Sequence, residues 1–571
     1  MFQMKSITKA VVFCVILFDT VIASAQYRFI KAHSDLENRL LSTDASLLDG
    51  FRNNRQSPKL ISSLVSLKND TNRKIHRFSR NEFDVVRWNN PEYFGTSRTN
   101  FTSSKWIRNL GIHLWKNPNR FWSWESQDKK DYFVINPVLD LSYAPAVGSL
   151  DTFLLNGRGV ELYGQMGDKL AFHSNVYDYQ AIYSLPVDRY RDSHQVRPGI
   201  TKHNINSFDV TEYFYATAYL DAKLLEKRND SGKVDYSIIG TIGHDKHHIG
   251  SGFRSLILSN FAPPSMFAQI DYQLGPFKYQ NLYKELVRDM TKDTTKTWNK
   301  KYLAMHRGVL EFDKIGLELG FSEMIVQTRS SNRLDWNYLN PVIFYRAIER
   351  DLNSPDNAFI AFDAKWSKNR WVWYGQLVLD EFSFGAMFGN RNSYLNKYGN
   401  QIGFYYRPNS DAFRQSFVQL EYNAVRPYMY SHNTSNYYSH YNQALAHPLE
   451  SNFREITFRF FGVPNIAQKW SINTTGIVAW KGYNSNGQNV GSDFRHPYNT
   501  ALDRENSPML QGEKQTRVNW LTTLSYYMQP NAKIEINHRY FQTIGHQSAT
   551  RNYLGLSIKY NFTDTRESYL F

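Results

Sequence analysis

The 571-residue chain is polar on average, with a mean hydropathy of -0.54, and its 67 basic and 52 acidic residues leave a formal charge of +15. No stretch approaches the roughly 20 consecutive apolar residues of a spanning helix, which excludes a helical membrane protein. Its one cysteine, Cys14, excludes a disulfide framework and a cysteine-ligated metal centre.

Residues 1–25 have the layout of a secretory signal peptide. Lys5 and Lys9 give the positive start, and an apolar run from Ala10 to Ile22 follows, broken only by Asp19 and Thr20. Ala23-Ser24-Ala25 offers small residues for cleavage. The mature chain is expected to begin at Gln26 without cysteine, because Cys14 lies too early, after Phe13, for a lipoprotein. Removing two lysines and one aspartate leaves a charge of about +14.

Residues 26–124 are expected to form an N-terminal periplasmic or plug segment, partly helical, with weak helical spacing among Leu36, Leu40, Leu47 and Leu48. From about Asp131 the period becomes two. Val160, Leu162, Gly164 and Met166 alternate with Glu161, Tyr163 and Gln165. After the turn at Gly167-Asp168-Lys169, Leu170, Phe172 and Val176 alternate with Lys169, His173 and Asn175. Two such runs about a short turn predict a hairpin. Phe214, Ala216, Ala218, Leu220 and Ala222 share a phase opposite to Thr217, Asp221 and Lys223. Ile534, Ile536 and Tyr540 oppose Lys533, Glu535, Asn537 and Arg539. Each run therefore has one apolar and one polar face.

Strands of ordinary length would suit a soluble sandwich. The persistence of long alternating runs to the C-terminus, with 16% aromatic residues in a polar chain, predicts instead an all-β transmembrane antiparallel outer-membrane barrel over residues 125–571. Counting the runs predicts about 16 to 18 strands, an even number. Polar stretches at 181–211, 288–300, 383–397, 427–452 and 483–515 are expected to be extracellular loops.

The last strand carries the most specific signal. In Tyr553-Leu554-Gly555-Leu556-Ser557-Ile558-Lys559-Tyr560-Asn561-Phe562, Leu554, Leu556, Ile558, Tyr560 and Phe562 share a face. A polar residue, then Gly555, then alternating apolar positions ending in an aromatic resembles the signal read by the barrel-assembly machinery. Tyr553, Gly555, Ile558, Tyr560 and Phe562 are its candidate residues. A tail to Phe571 departs from the pattern, so either aromatic could close the chain.

Catalysis finds no coherent set. His173 and Ser174 are adjacent on a strand and must point to opposite faces, so they cannot form a nucleophile–base pair. His244, His247 and His248 surround a Gly-flanked turn and are expected to be solvated rather than metal-bound. Asp380-Glu381, and Glu318 with Glu323, offer carboxylates, but inward charges are ordinary in a barrel lumen. Neither a phosphate-binding glycine loop nor an H-E-x-x-H motif occurs, and no enzyme activity, metal or cofactor is expected. Nucleic-acid motifs are also absent. The basic charge points to polyanions at a cell surface, such as lipopolysaccharide and acidic capsule.

Binding is better supported. Arg426, Tyr428 and Tyr430 in one run, and Tyr437, Tyr438, His440 and Asn442 in another, interleave rings with hydrogen-bonding groups in an expected loop. Rings stack on sugar faces while Arg and Asn reach hydroxyls and carboxylates, so these are the candidate polysaccharide-binding residues. An aromatic girdle at the lipid interface is an equal alternative for any single tyrosine.

The chain resembles the Wzi-like capsule assembly outer-membrane proteins, and among them the gliding-motility RemB group. The resemblance covers about residues 130–562. It rests on Gly250-Ser251-Gly252-Phe253-Arg254-Ser255-Leu256-Ile257-Leu258-Ser259-Asn260, Pro263-Pro264, His306-Arg307, Phe321-Ser322-Glu323, Leu339-Asn340-Pro341 and Asp380-Glu381. Glu421-Tyr422, Arg426-Pro427-Tyr428, Tyr441-Asn442 and His447-Pro448-Leu449 complete it. Glu450 departs from it, standing where Gly is expected after His-Pro-Leu. The resemblance implies an eighteen-stranded barrel with an N-terminal periplasmic portion, a lectin-like anchor for surface polysaccharide with no enzyme activity or cofactor. For the gliding branch it implies gliding adhesins or exopolysaccharide as partners. The competing expectation is an outer-membrane channel or porin for small solutes, and the lumen separates the two.

Overall fold

The structure, a computed structural model, describes residues 122–561 apart from 128–130, 168, 202, 206–208, 230–233, 293–297, 329–333, 343, 353, 381–388, 390–391, 409–411, 467–468, 486 and 530–531. The signal peptide, nearly all of the 26–124 segment, Phe562 and the tail to Phe571 lie outside the described residues.

Among the described residues, eighteen long antiparallel strands follow in order. They are β1 (Tyr132–Pro145), β2 (Thr152–Met166), β3 (Leu170–Ile182), β4 (Thr211–Arg228), β5 (Val234–Asp245) and β6 (Ser265–Leu274). Next come β7 (Phe277–Lys292), β8 (Trp298–Phe312), β9 (Leu317–Gln327), β10 (Asn357–Lys368), β11 (Trp371–Asp380) and β12 (Tyr398–Tyr406). The last six are β13 (Phe413–Val425), β14 (Phe453–Pro464), β15 (Trp470–Tyr483), β16 (Glu513–Gln529), β17 (Ala532–Gly545) and β18 (Ala549–Tyr560). Each pairs with the next, and β18 pairs back onto β1 from Leu139↔Tyr560 to Tyr143↔Leu556. The wall is closed, so no strand edge is left for lipid to solvate.

Alternation along the chain becomes the two surfaces of this wall. Asn136, Asp140, Glu161, His173, Asn175 and Asp221 point inward and are buried. Their outward neighbours Val160, Val176, Phe214, Leu220, Phe362 and Leu377 are exposed apolar side chains, as a lipid-facing band requires. At one end Trp366, Trp371, Trp373, Phe404 and Tyr406 cluster, with Trp371 4.3 Å from Tyr406 and 5.9 Å from Trp373 by ring centroids, forming an aromatic girdle. No described helix is long and apolar enough to cross a membrane, and crossing here is by strands.

At the girdle end the connections are short, such as 275–276, 313–316 and 369–370. At the other they are long: 183–210, carrying helix α1 (Leu185–His194), 246–264, 328–356, carrying helix α2 (Tyr345–Leu352), 381–397, 426–452 and 484–512. The stretch expected as a loop at 288–300 is largely strand, since β7 runs to Lys292 and β8 starts at Trp298. Segment 246–264, absent from the expected loops, is apolar where a solvated loop would be polar. Its Ile249, Leu256, Ile257, Leu258 and Phe261 are at most 1% exposed and join Leu303, Met305 and Met324 of the wall in the main core cluster.

Candidate functional site: the loop-filled lumen and its rim

Segment 246–264, the crossing loop, leaves β5 and returns to β6, yet its tip is bound by the opposite wall. Gln376 on β11 donates to the carbonyl of Ile249 (2.9 Å) and accepts from the amide of Leu256 (2.8 Å), as a neighbouring strand would. Gln401 on β12 donates to the carbonyl of Arg254 (2.9 Å), and the Tyr405 hydroxyl donates to that of Ser251 (2.7 Å). The Glu421 carboxylate on β13 accepts the backbone N–H groups of Phe253 (2.7 Å) and Arg254 (3.1 Å), the Tyr374 hydroxyl (2.8 Å) and the Asn423 amide (2.8 Å). Phe253 lies between the guanidinium groups of Arg254 and Arg459, at 4.8 and 4.4 Å from its ring centroid. The loop meets the wall so closely that a side chain at Gly250 (φ 107°) would collide with Gln376, and one at Gly252 with Glu421.

The inner loop, 426–452, folds down against the crossing loop. The Tyr430 hydroxyl donates to the carbonyl of Leu256 (2.7 Å) and that of Tyr438 to Ile257 (2.8 Å). Gln443 both donates to the carbonyl of Ile200 (2.8 Å) and accepts from the amide of Gly199 (2.6 Å), tying in the α1 connection. Tyr428, Tyr430, Tyr441, Asn442, Glu450 and Asn452 all adopt left-handed backbone conformations, with φ between 49° and 67°. Each is costly for a side chain other than glycine, and such strain persists where packing over-determines the backbone.

This placement bears directly on the candidate polysaccharide residues. Arg426, Tyr428, Tyr430, Tyr437, Tyr438, His440 and Asn442 are brought into one loop, but every one is buried, between 0 and 8% exposed. Arg426 donates to the carbonyls of Asn396, Ser393 and Ser507, Tyr437 to Arg288, and Asn442 to His194. His440 accepts the amide of Val287 at Nδ1 (2.9 Å) and donates from Nε2 to the carbonyl of Pro264 (3.3 Å). These side chains stitch loops together.

Of the histidines expected to be solvated, His247 is buried while His244 and His248 are half-buried. His247 lies 2.9 Å from the Lys284 ammonium, and His248 reaches the carbonyl of Gly252. Burial pushes the His248 imidazole down to about 4. His173 points inward to Glu161 while Ser174 takes the opposite phase. Glu318 faces the lumen and pairs with Lys365, but Glu323 faces outward, so only one of that pair is an inward charge. Asp380 is buried against Lys397 (3.2 Å) and accepts the amide of Tyr430 (2.7 Å). Of the candidate assembly residues, Tyr553 points inward and is buried, Ile558 and Tyr560 lie on the seam with β1, and Phe562 lies outside the described residues.

A set of side chains not singled out from the sequence is presented at the rim. Tyr394 and Tyr498 lie 6.1 Å apart with partly open rings, the exposed Arg504 stands 5.8 Å from Tyr394, and the Lys397 ammonium lies 4.2 Å beneath Tyr498. Asn499 and His496 are exposed beside them. Arg504 and Tyr498 come from a polar stretch that was read as a loop, but no spacing in it announces that Tyr394 from another connection will meet them.

No family model matches the chain, and no curated protein matches it. Among solved structures it is similar to Wzi, an outer-membrane protein involved in group 1 capsule assembly in Escherichia coli and a carbohydrate-binding β-barrel, at 13% identity and a TM-score of 0.45, covering 75% of this chain and 85% of that one. It is also similar to Pseudomonas aeruginosa OprD (9%, 0.39, 75% and 94%) and OccK9 (9%, 0.40, 75% and 97%). The likeness concerns the fold alone.

Proposed function

We propose that this protein is a non-enzymatic outer-membrane barrel that binds or organises cell-surface polysaccharide, in capsule assembly or gliding motility, with its long-loop end facing out. The observation that carries this reading is the filled lumen. A chain segment that crosses the bore and is bound on its far side by Gln376, Gln401 and Glu421 occupies space that a conduit would need, which supports a surface-binding role. The same contacts weigh against the channel for small solutes.

The rim supplies the recognition chemistry. Tyr394 and Tyr498 offer ring faces for sugar stacking, and Arg504 and Asn499 offer donors for hydroxyls and carboxylates. The buried residues of the inner loop act in this reading by holding the rim loops in place.

The test is a titration of the purified, detergent-solubilised barrel with the producing cell's own surface polysaccharide at physiological salt, beside a Tyr498→Ala/Arg504→Ala variant. Binding by the wild type that the variant loses supports the reading and its location. A wild-type barrel that binds no polysaccharide and conducts steadily in a planar bilayer would overturn it in favour of the channel.

A further inference from the structure

Residues 335–342 and 344–352, between β9 and β10, lie outside the lumen. Met324 on β9 faces inward, because the inner-loop Tyr438 hydroxyl touches its sulfur, so Glu323 and Ile325 face out. His306 on β8 pairs in register with Glu323 on β9 and with Asn281 on β7, so these three polar side chains form a row on the outer wall. The lipid-facing Leu310, Leu319, Phe321 and Phe362 share their phase.

The height of this row follows from the register. Leu317 is paired with Trp366 of the aromatic girdle, and Glu323 stands six residues further along β9. At about 3.3 Å per residue and a tilt of about 40°, the row lies about 15 Å above the girdle, inside an apolar band about 25 Å tall. Bare, it would face hydrocarbon.

It is covered by a strap made of residues 335–342 and 344–352. The Glu323 carboxylate accepts the first backbone N–H groups of α2, from Tyr345 (2.8 Å) and Arg346 (2.9 Å). The Tyr345 ring lies 4.0 Å from His306. Asn281 donates to the carbonyl of Pro341 (3.2 Å), Tyr279 donates to it as well (2.6 Å), and Tyr283 donates to that of Leu339 (3.2 Å). Within the strap, Asp335 accepts the amide of Asn337 and Asn340 that of Val342. Irregular backbone is tolerated at membrane depth only when its polar groups are satisfied by protein, and here Tyr279, Asn281, Tyr283 and strap side chains satisfy the carbonyls of Leu339 and Pro341 and the amides of Asn337 and Val342.

The outer side of the strap carries three large apolar side chains beside exposed Asn337 and Asn340, with the exposed charges Arg346, Arg350 and Asp351 further along α2. Trp336, Val342 and Phe344 are 83, 78 and 66% exposed and continue the apolar band of the wall beneath. We propose that the strap is immersed in the bilayer, with Trp336, Val342 and Phe344 packed among the acyl chains of the leaflet at the long-loop end. The outer-wall row of Asn281, His306 and Glu323 is then the seat of a lipid-facing device. This conclusion stands whether or not the rim binds polysaccharide.

The experiment places an environment-sensitive fluorophore on Val342→Cys, and separately on Phe344→Cys, in a Cys14→Ser background that leaves no other thiol. Leu150→Cys, on the exposed turn 147–150, is the aqueous control. Folding is checked by heat-modifiable electrophoretic mobility. In phosphatidylcholine proteoliposomes, nitroxide-labelled acyl chains are expected to quench emission at 342 and 344 while aqueous iodide does not, with the reverse at 150. Quenching of 342 and 344 by iodide alone overturns the proposal, because the strap is then solvated. Protection from both quenchers overturns it too, because a second protein copy then covers the strap.

Discussion

Arg254 and Glu455 lie 3.6 Å apart, although the loop carrying Arg254 leaves from β5 and Glu455 is on β14, nine strands away round a wall of eighteen. An ion pair between opposite walls spans the bore. Both side chains are buried, and Glu455 also accepts from His447 (2.9 Å) and Asn423 (3.2 Å). Removing one partner of a buried pair leaves an uncompensated charge and costs about 3–5 kcal/mol. Deleting residues 249–262 and bridging the gap with glycines is expected to give steady single-channel currents where the wild type gives none. Glu421→Ala, which strands the amides of Phe253 and Arg254, is expected to give intermittent openings. A deletion variant that stays silent in the bilayer would show that the crossing loop is not the obstruction.

The same loop should loosen in acid. Burial holds the His248 imidazole at about 4, against an ordinary value near 6.5. The unfolded or released loop takes up the proton first, so stability rises with pH between the two values and is lost as pH falls from about 6.5 to about 4. The full window is worth about 3 kcal/mol of local stability. His440 and His447, both pushed below their usual range chiefly by burial, act in the same direction. Amide exchange of residues 246–264, corrected for the intrinsic rate, should accelerate between pH 7 and pH 4, and His248→Gln should flatten that dependence. An unchanged profile in the variant would rule out His248 as a source.

Tyr430 and Tyr438 separate the stitching role from a ligand role. Each hydroxyl donates to a carbonyl of the crossing loop, and each ring packs on Phe359, with centroids 6.1 and 4.8 Å away. Tyr430→Phe and Tyr438→Phe keep the ring and orphan a buried carbonyl, a loss of about 1–2 kcal/mol each. Denaturant unfolding in detergent should register that loss, while polysaccharide affinity stays at the wild-type value. Affinity falling with stability unchanged would return these tyrosines to the binding site.

Alternation made the barrel legible, because a lipid-facing wall leaves a strict period of two in residues such as Val160–Met166 and Ile534–Tyr540. The last strand closes the wall onto β1, where Tyr560 meets Leu139. The direction in which loops fold was not legible. Tyr, His, Arg and Asn read the same whether water or another loop satisfies them, so the inner loop resembled a solvated sugar site. Two signals were nevertheless present. Leu256-Ile257-Leu258, between Gly252 and Pro263, is an apolar run with no period of two, as a buried loop requires. Glu323 interrupts the otherwise apolar phase of Leu319, Phe321 and Ile325, which marks a wall position that lipid cannot cover.

Glu450 shows how a departure from a pattern can be compensated. Its backbone is left-handed, φ 65°, a conformation that glycine adopts without cost. The glutamate accepts that strain and uses its carboxylate, 2.5 Å from His194 Nε2 and 3.9 Å from Lys481, to join the inner loop to α1. Tyr190 stacks on the same imidazole at 3.8 Å, so the contact fixes the end of the helix. Glu450→Ala keeps the strained backbone and loses the carboxylate, and should destabilise the closed loops by about 2–3 kcal/mol. Glu450→Gly loses the same carboxylate but releases the strain, so it should recover about 1 kcal/mol relative to the alanine variant. The comparison is made by unfolding both variants under identical detergent conditions. If glycine proves no better than alanine, the left-handed conformation carries no strain, and the carboxylate alone accounts for the position.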